Sequence, residues 1–109
     1  MKMKQRLQAF VERHPEGWNH VEWLALLAEL GQNGGETGDP AEVGLALERT
    51  RLEWELSRRA VTGLGPKRRE ALVDRFETLW RLKQAQVEDV AGVPTIPRSL
   101  AEKVVQAIH

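Results

Sequence analysis

The sequence predicts an all-α protein, and three observations support that class. Apolar residues recur at helical spacing along nearly all of the 109 residues, and no stretch shows the strict alternation of a half-buried strand. Helix-capping residues and helix-ending glycines separate the apolar runs. A hydrophobic content of 41% is too high for a wholly disordered chain. We expect an N-terminal helical subdomain over residues 1–55, joined through a long shared helix to a second unit over residues 56–109.

Two helices are predicted in the first third of the chain. One apolar stripe defines the first helix, which ends at residues 14–17, and it contains Met3, Leu7, Phe10 and Val11. Asn19 and Glu22 have the spacing of a capping box and open the second helix. The apolar face of this helix contains Trp23, Leu26, Leu27 and Leu30, and Gly31 is its expected stop. The following residues, 32–38, include three glycines and predict a flexible loop.

The third helix is predicted over residues 40–60, with apolar residues on two opposite faces. Asp39 and Pro40 suit its N-cap and first position. At about 100° per residue, one face carries Val43, Leu47, Trp54 and Val61, and the other carries Leu45, Leu52 and Leu56. A helix that is apolar on two sides is buried between neighbours. We therefore expect the first face to pack on helices one and two and the second face on the C-terminal half.

The C-terminal half contains an internal repeat with an offset of 32 residues. Residues 61–65 (VTGLG) align with residues 93–97 (VPTIP), and the apolar positions of residues 72–76 align with those of residues 104–108. Each copy predicts a helix, a tight turn and a second helix, so the end of the third helix serves as the first helix of copy one. A short helix over residues 78–83 connects the copies, and its Trp80 is assigned to packing in preference to base stacking.

The turn of copy one is suited to hold an anion. Gly63 and Gly65 allow positive φ and the close approach of a partner, while Leu64 points inward as an anchor. Pro66 suits the first position of the next helix, whose free N–H groups and dipole favour negative charge. The basic residues that follow are Lys67, Arg68 and Arg69. The expected ligand is phosphate, which is held without reference to any base.

The segments VTGLGPKRREALVDRF and QAQVEDVAGVPTIPRSLAEKVVQAIH resemble a tandem helix-hairpin-helix domain with hairpins at residues 62–66 and 94–98. They are similar to the C-terminal domain of the excision-repair nuclease subunit UvrC and to XPF-type nuclease tails, which implies a SAM/RuvA-domain-like unit over about residues 56–109. The resemblance implies non-sequence-specific binding of duplex or branched DNA through phosphates on the minor-groove side. The contacts that the resemblance implies in the first hairpin are Gly63, Leu64, Gly65, Lys67 and Arg68. Arg69, which continues the basic cluster, is a further candidate DNA contact.

The second hairpin departs from the pattern of that family. Thr95 stands where a glycine is expected, and its β-branched side chain resists positive φ. Pro97 removes one backbone donor. Thr95 and Arg98 remain candidate contacts through their side chains. We expect this hairpin mainly to complete the fold.

Composition restricts the remaining chemistry. The net charge is zero, because a sum of −2 over residues 1–60 offsets +2 over residues 61–109, so any DNA-binding surface is local. With no cysteine, three dispersed histidines and no nucleophile or Walker motif, we expect no catalytic site, metal or cofactor. No apolar run reaches the roughly 20 residues of a membrane span, and the charged start MKMKQRLQ lacks the apolar h-region expected of a signal peptide. We expect a cytoplasmic protein, nucleoid-associated when bound to DNA.

Two functions stay open at this point. The first is DNA binding by an accessory module of repair or recombination, acting with a repair nuclease or as a homodimer. The second is a protein-interaction or dimerisation module with little DNA affinity, because XPF-type tails dimerise through the same helices. A small enzyme has little support in the sequence.

Overall fold

The computed structural model describes residues 3–32 and 39–109, and all regular structure in these ranges is helical, which confirms the predicted all-α class. The helices are α1 (Met3–Arg13), α2 (His20–Gln32), α3 (Pro40–Arg58), α4 (Pro66–Phe76), α5 (Leu79–Gln84), α6 (Val87–Ala91) and α7 (Arg98–Ile108).

Helix α2 begins as the sequence predicts but ends later. The Asn19 side chain accepts a hydrogen bond from the Glu22 amide at 2.8 Å, and the Glu22 side chain accepts one from the Asn19 amide at 3.0 Å. This reciprocal pair is the predicted capping box. The predicted stop at Gly31 is wrong, because α2 continues through Gln32. Beyond Gln32, the predicted loop over residues 32–38 lies outside the described residues.

Helix α3 contributes to two separate hydrophobic cores. Val43 and Leu47 pack with α1 and α2, whose buried residues are Leu7, Phe10, Val11, Leu26 and Leu30. Leu52 and Leu56 lie on the opposite face and pack in the C-terminal core. Because this 19-residue helix is about 28 Å long, the two cores lie in line along it. The molecule accordingly measures 46 × 22 × 21 Å.

Two residues of the predicted apolar faces of α3 do not pack as the sequence predicts. Leu45 is 44% exposed, so its predicted burial is wrong. It lies about 10 Å before Leu52 along the helix axis, and the C-terminal core begins only at Leu52. Val61 was assigned to the face of Val43, but α3 ends at Arg58 and Val61 packs against the C-terminal core instead.

The C-terminal half packs α4 to α7 around the second half of α3. Its buried residues, besides those of α3, are Leu72, Val73, Phe76, Leu79, Leu82, Val90, Val93, Ile96, Leu100, Ala101, Val104 and Ile108. Helices α4 and α7 are both 11 residues long and begin at equivalent positions of the 32-residue repeat. Helix α6 is equivalent to residues 55–59, which are the last residues of α3 and its C-cap Arg59. Each copy is therefore a helix, a turn and a second helix, as the repeat predicts.

Helix α5 connects the two copies and exposes a tryptophan. The Thr78 side chain accepts a hydrogen bond from the Arg81 amide at 3.1 Å and so caps the helix. Leu79 and Leu82 form its buried stripe. Trp80 is 69% exposed, so the predicted packing of this residue is wrong. A six-residue helix has room for one short buried stripe, and the two leucines fill it.

Candidate nucleic-acid interface

Two turns with the same backbone geometry precede α4 and α7. We call residues 61–65 the first turn and residues 93–97 the second turn. In each turn the amide of the fourth residue donates a hydrogen bond to the carbonyl of the first at 3.1 Å. The third residue has positive φ in both, +90° at Gly63 and +78° at Thr95. The repeat in the sequence is thus also a repeat in backbone conformation.

The conformation of Thr95 corrects an expectation. The sequence predicts that a β-branched residue resists positive φ here, yet Thr95 adopts it. The flanking residues Val93 and Ile96 are both buried, and the turn hydrogen bond between them fixes the path of the backbone. These contacts outweigh a strain of about 1–2 kcal/mol. The second turn therefore presents the same backbone shape as the first.

Both turns leave backbone donors free. Within the described residues no hydrogen bond uses the amides of Gly63, Gly65, Lys67 and Arg68 in copy one, or of Thr95, Arg98, Ser99 and Leu100 in copy two. Pro97 removes one backbone donor from copy two, as predicted. Copy one also loses one donor, at Pro66, which directly follows the equivalent of Pro97. The free amides at the starts of two helices, together with the helix dipoles, favour an anion. On backbone grounds the two turns are equally equipped.

A groove of about 1060 Å³ separates the second turn from α4. Its apolar lining consists of Pro66, Ala71, Val93 and Pro94. Its cations are Lys67, Arg68 and Arg75. Asp74 also lines the groove, but its carboxylate pairs with Arg49 of α3 and does not form an ion pair with the groove cations. The groove combines an apolar floor with positive charge.

A smaller pocket of about 350 Å³ lies between the first turn and α7. Its lining residues are Arg59, Val61, Thr62, Lys103, Gln106 and Ala107. Most of these positions are the equivalents of groove residues at the 32-residue offset. Each turn therefore faces the second helix of the other copy, and the two copies are arranged about a pseudo-twofold axis.

Several predicted contact residues gather at the groove. Its lining includes Gly65, Lys67, Arg68 and Thr95. The Arg68 side chain donates through Nε to the Thr95 carbonyl at 2.9 Å and through Nη1 to the Gly63 carbonyl at 3.0 Å. Leu64 packs against the C-terminal core, in agreement with its assignment as an inward anchor, and its amide is used by the turn itself.

Arg69 and Arg98 lie away from the groove. Arg69 is half-buried on the other side of α4, in a pocket that it shares with Lys4 of α1 and Glu53 of α3. Arg98 pairs with Glu88 at 3.4 Å and with Glu102 at 3.5 Å, so neighbouring carboxylates balance its charge. Their assignment as DNA contacts stays a prediction.

Two cations near the turns were not identified from the sequence. Arg75 lines the groove, with its guanidinium 5.0 Å from the Phe76 ring centroid. Lys103 is exposed in the smaller pocket. Like Lys67, neither forms an ion pair with any described residue. Arg75 could have been identified from the sequence, because positions 67, 71 and 75 lie on the same face of a helix.

Within residues 3–32 and 39–109, no group of three or more His, Cys, Asp or Glu residues could hold a metal ion. Glu55, which is 2% exposed, accepts hydrogen bonds from Arg58 and Arg59 at 2.9 Å and so fixes the end of α3. None of the helices in residues 3–32 and 39–109 is long and apolar enough to cross a membrane.

The fold and the site define an all-helical protein with a duplicated helix–turn–helix unit, whose turns carry free amides beside cations. Such a chain has relatives among known proteins. The UvrABC system protein C of Aliivibrio salmonicida is 38% identical over 73 residues, which are 67% of this chain and 12% of that protein. The protein of the same name from Klebsiella pneumoniae is 37% identical over 95 residues, 87% of this chain and 16% of that protein. The Vibrio parahaemolyticus protein is 50% identical over 48 residues, 44% of this chain and 8% of that protein.

The chain thus contains a UvrC-like region and spans about an eighth of the length of the first of these relatives. The similarity to the Klebsiella pneumoniae protein extends beyond residues 56–109, the range predicted from the sequence. A match of 95 residues is longer than that range and must include most of residues 1–55. The N-terminal helices therefore share in the similarity. No family model matches the chain. No solved structure matches it either.

Proposed function

We propose that residues 56–109 form a tandem helix-hairpin-helix unit that binds DNA phosphates without base specificity, as a non-catalytic accessory module of excision repair. The observation that carries this proposal is the pair of equivalent turns, each with free amides at the start of an 11-residue helix. Each turn also has an exposed lysine nearby, Lys67 or Lys103. The similarity to UvrABC system protein C supports the repair context.

The expected binding is weak, local and sensitive to salt. Two turns and their lysines contact two to four phosphates, so the logarithmic salt slope is roughly −2 to −4. The dissociation constant lies in the non-specific range of about 10⁻⁴ to 10⁻⁶ M at physiological salt. A net charge of zero adds no long-range attraction. Duplex, bubble and branched DNA are all suitable targets, since phosphates are the ligands.

Fluorescence anisotropy with labelled duplex and junction DNA tests this proposal. Lys67→Glu combined with Lys103→Glu places negative charge beside both turns, and we expect at least about a tenfold loss of affinity at low salt. Lys83→Glu is the matched control, because Lys83 is an exposed lysine on α5 with no ion pair among the described residues. Equal losses in the double variant and the control would show that the turns are not the binding surface.

A protein-interaction module is the second candidate, and the outer face of α2 favours it. Val21 is 74% exposed and Leu24 is 50% exposed. Ala25 and Ala28 continue the same stripe at helical spacing and are also exposed. An apolar stripe of this kind suits dimerisation or docking to a repair nuclease. Sedimentation velocity separates the candidates: a stable dimer that lacks DNA affinity, and that Leu24→Glu dissociates, would favour this second function.

A further inference from the structure

One side chain connects the two turns. Arg68 is the third residue of α4, and its guanidinium donates from Nε to the Thr95 carbonyl at 2.9 Å and from Nη1 to the Gly63 carbonyl at 3.0 Å. Gly63 and Thr95 are the positive-φ residues of the first and second turns and are equivalent in the repeat. Arg68 therefore binds the same carbonyl in both copies.

The chemistry of arginine suits this bridge. The guanidinium is planar and holds its donors at fixed spacing, so two nitrogens reach two carbonyls that belong to different segments of the chain. Lysine carries the same charge on a single nitrogen and lacks this rigid fork. At position 100, the equivalent of Arg68, copy two has Leu100, which is buried and cannot form a reciprocal bridge.

On the basis of the proposed function, we infer that Arg68 is a positioning residue rather than primarily a phosphate contact. By fixing both turns to one side chain, it keeps their free amides at a constant separation. It also covers two carbonyl oxygens, whose partial negative charge would otherwise repel a phosphate bound at the turns. The two turns then bind one DNA molecule as a unit, and losing the bridge weakens the binding of both.

The first test compares conservative and non-conservative variants in the DNA titration. Arg68→Lys retains the charge and loses the bridge, so we expect about a tenfold loss of affinity, close to that of Arg68→Ala. Arg13→Lys is the matched control, because Arg13 is an exposed arginine of α1 that lines neither the groove nor the smaller pocket, and the affinity of this variant should change less than about twofold. If Arg68→Lys retains the parental affinity, the side chain acts through its charge and the inference is wrong.

The second test uses NMR on the free protein. The Nε–H of Arg68 should exchange with solvent more slowly than that of Arg75, and the carbonyl carbon signals of Gly63 and Thr95 should move together in Arg68→Lys. An Arg68 Nε–H that exchanges as fast as the Arg75 Nε–H would overturn the bridge. This measurement does not depend on DNA. A parental chain that shows the bridge by NMR but does not bind DNA would contradict the proposed function and leave Arg68 with a purely structural role.

Discussion

The two copies of the repeat, residues 61–76 and 93–108, have the same backbone path, but the surfaces around their turns differ. Position 63 is glycine and its equivalent is Thr95, although both have positive φ. A Cβ at Gly63 would lie 3.6 Å from Cδ1 of Leu100, while the equivalent of Leu100, Arg68, donates a hydrogen bond to Thr95. The same position in each copy thus reaches the turn of the other copy, once by apolar packing and once by a hydrogen bond. Packing therefore fixes the shape of the turns and leaves the chemistry around them free to differ.

Substitutions at the buried positions of the two copies should cost the most stability, and they test whether the copies share one core. Leu72 and Val104 occupy equivalent positions and are both 0% exposed. We expect Leu72→Ala to lower the free energy of unfolding by about 3 kcal/mol, from lost burial and a residual cavity. Val104→Ala removes less apolar volume and should cost about 2 kcal/mol. Urea unfolding followed by circular dichroism measures both, and a negligible cost for Val104→Ala would indicate that copy two lies outside the cooperative unit.

Exchanging glycine and threonine at the two positive-φ positions should change the free energy of unfolding in opposite directions. Gly63→Thr places a β-branched residue at φ +90° and should cost about 1–2 kcal/mol. Thr95→Gly relieves that strain but increases the entropy of the unfolded chain, so we expect a gain of no more than about 1 kcal/mol. The measurement is the same urea titration. A loss of stability in Thr95→Gly would mean that the threonine side chain stabilises its turn more than strain opposes it.

A smaller effect separates the phosphate contacts of the two copies. Lys67 lines the groove beside α4, and Lys103 lines the smaller pocket beside the first turn. If each neutralises one phosphate, Lys67→Ala and Lys103→Ala each reduce the magnitude of the salt slope by about 0.9, and the double variant reduces it by about 1.8. Anisotropy titrations over a series of salt concentrations give these slopes. An unchanged slope for Lys103→Ala alone would assign DNA binding to one copy.

The smallest effect is expected at Arg98. Its ion pairs with Glu88 and Glu102 are exposed, so they contribute no more than about 1 kcal/mol and their loss should hardly alter stability. Since those carboxylates already balance its charge, Arg98→Ala should also leave the salt slope of DNA binding unchanged. Thermal unfolding and the anisotropy series check the two statements. A slope that falls by about 0.9 would make Arg98 a phosphate contact after all.

The sequence predicts local structure well because its signals act over a few residues. The capping box at Asn19 and the N-cap at Asp39 are both present, the latter with its side chain accepting from the Ala41 amide at 3.0 Å. The errors arise where burial depends on a distant element. Leu45 lies on the predicted face of α3 but comes before the point where the C-terminal core begins, so that core does not cover it. Trp80 belongs to a short helix whose buried stripe is already filled by two leucines.

The candidate site shows the same division. The first turn, its inward Leu64 and the cation at Lys67 follow from a continuous stretch of sequence. The groove does not, because its two sides come from different copies of the repeat. Arg69 adjoins Arg68 in the chain yet faces a different pocket, since successive residues of a helix point about 100° apart.

Local sequence is enough to predict the helical class, the 32-residue repeat and a glycine turn followed by cations, because these features depend on neighbouring residues. The positive φ that Thr95 shares with Gly63 depends instead on tertiary packing, because buried residues on either side fix the backbone there. Tertiary packing also brings the two turns to Arg68. Gly63 lies 5 positions before Arg68 in the chain, and Thr95 lies 27 positions after it. Packing of one copy against the other supplies that proximity, and no local pattern in the chain encodes it.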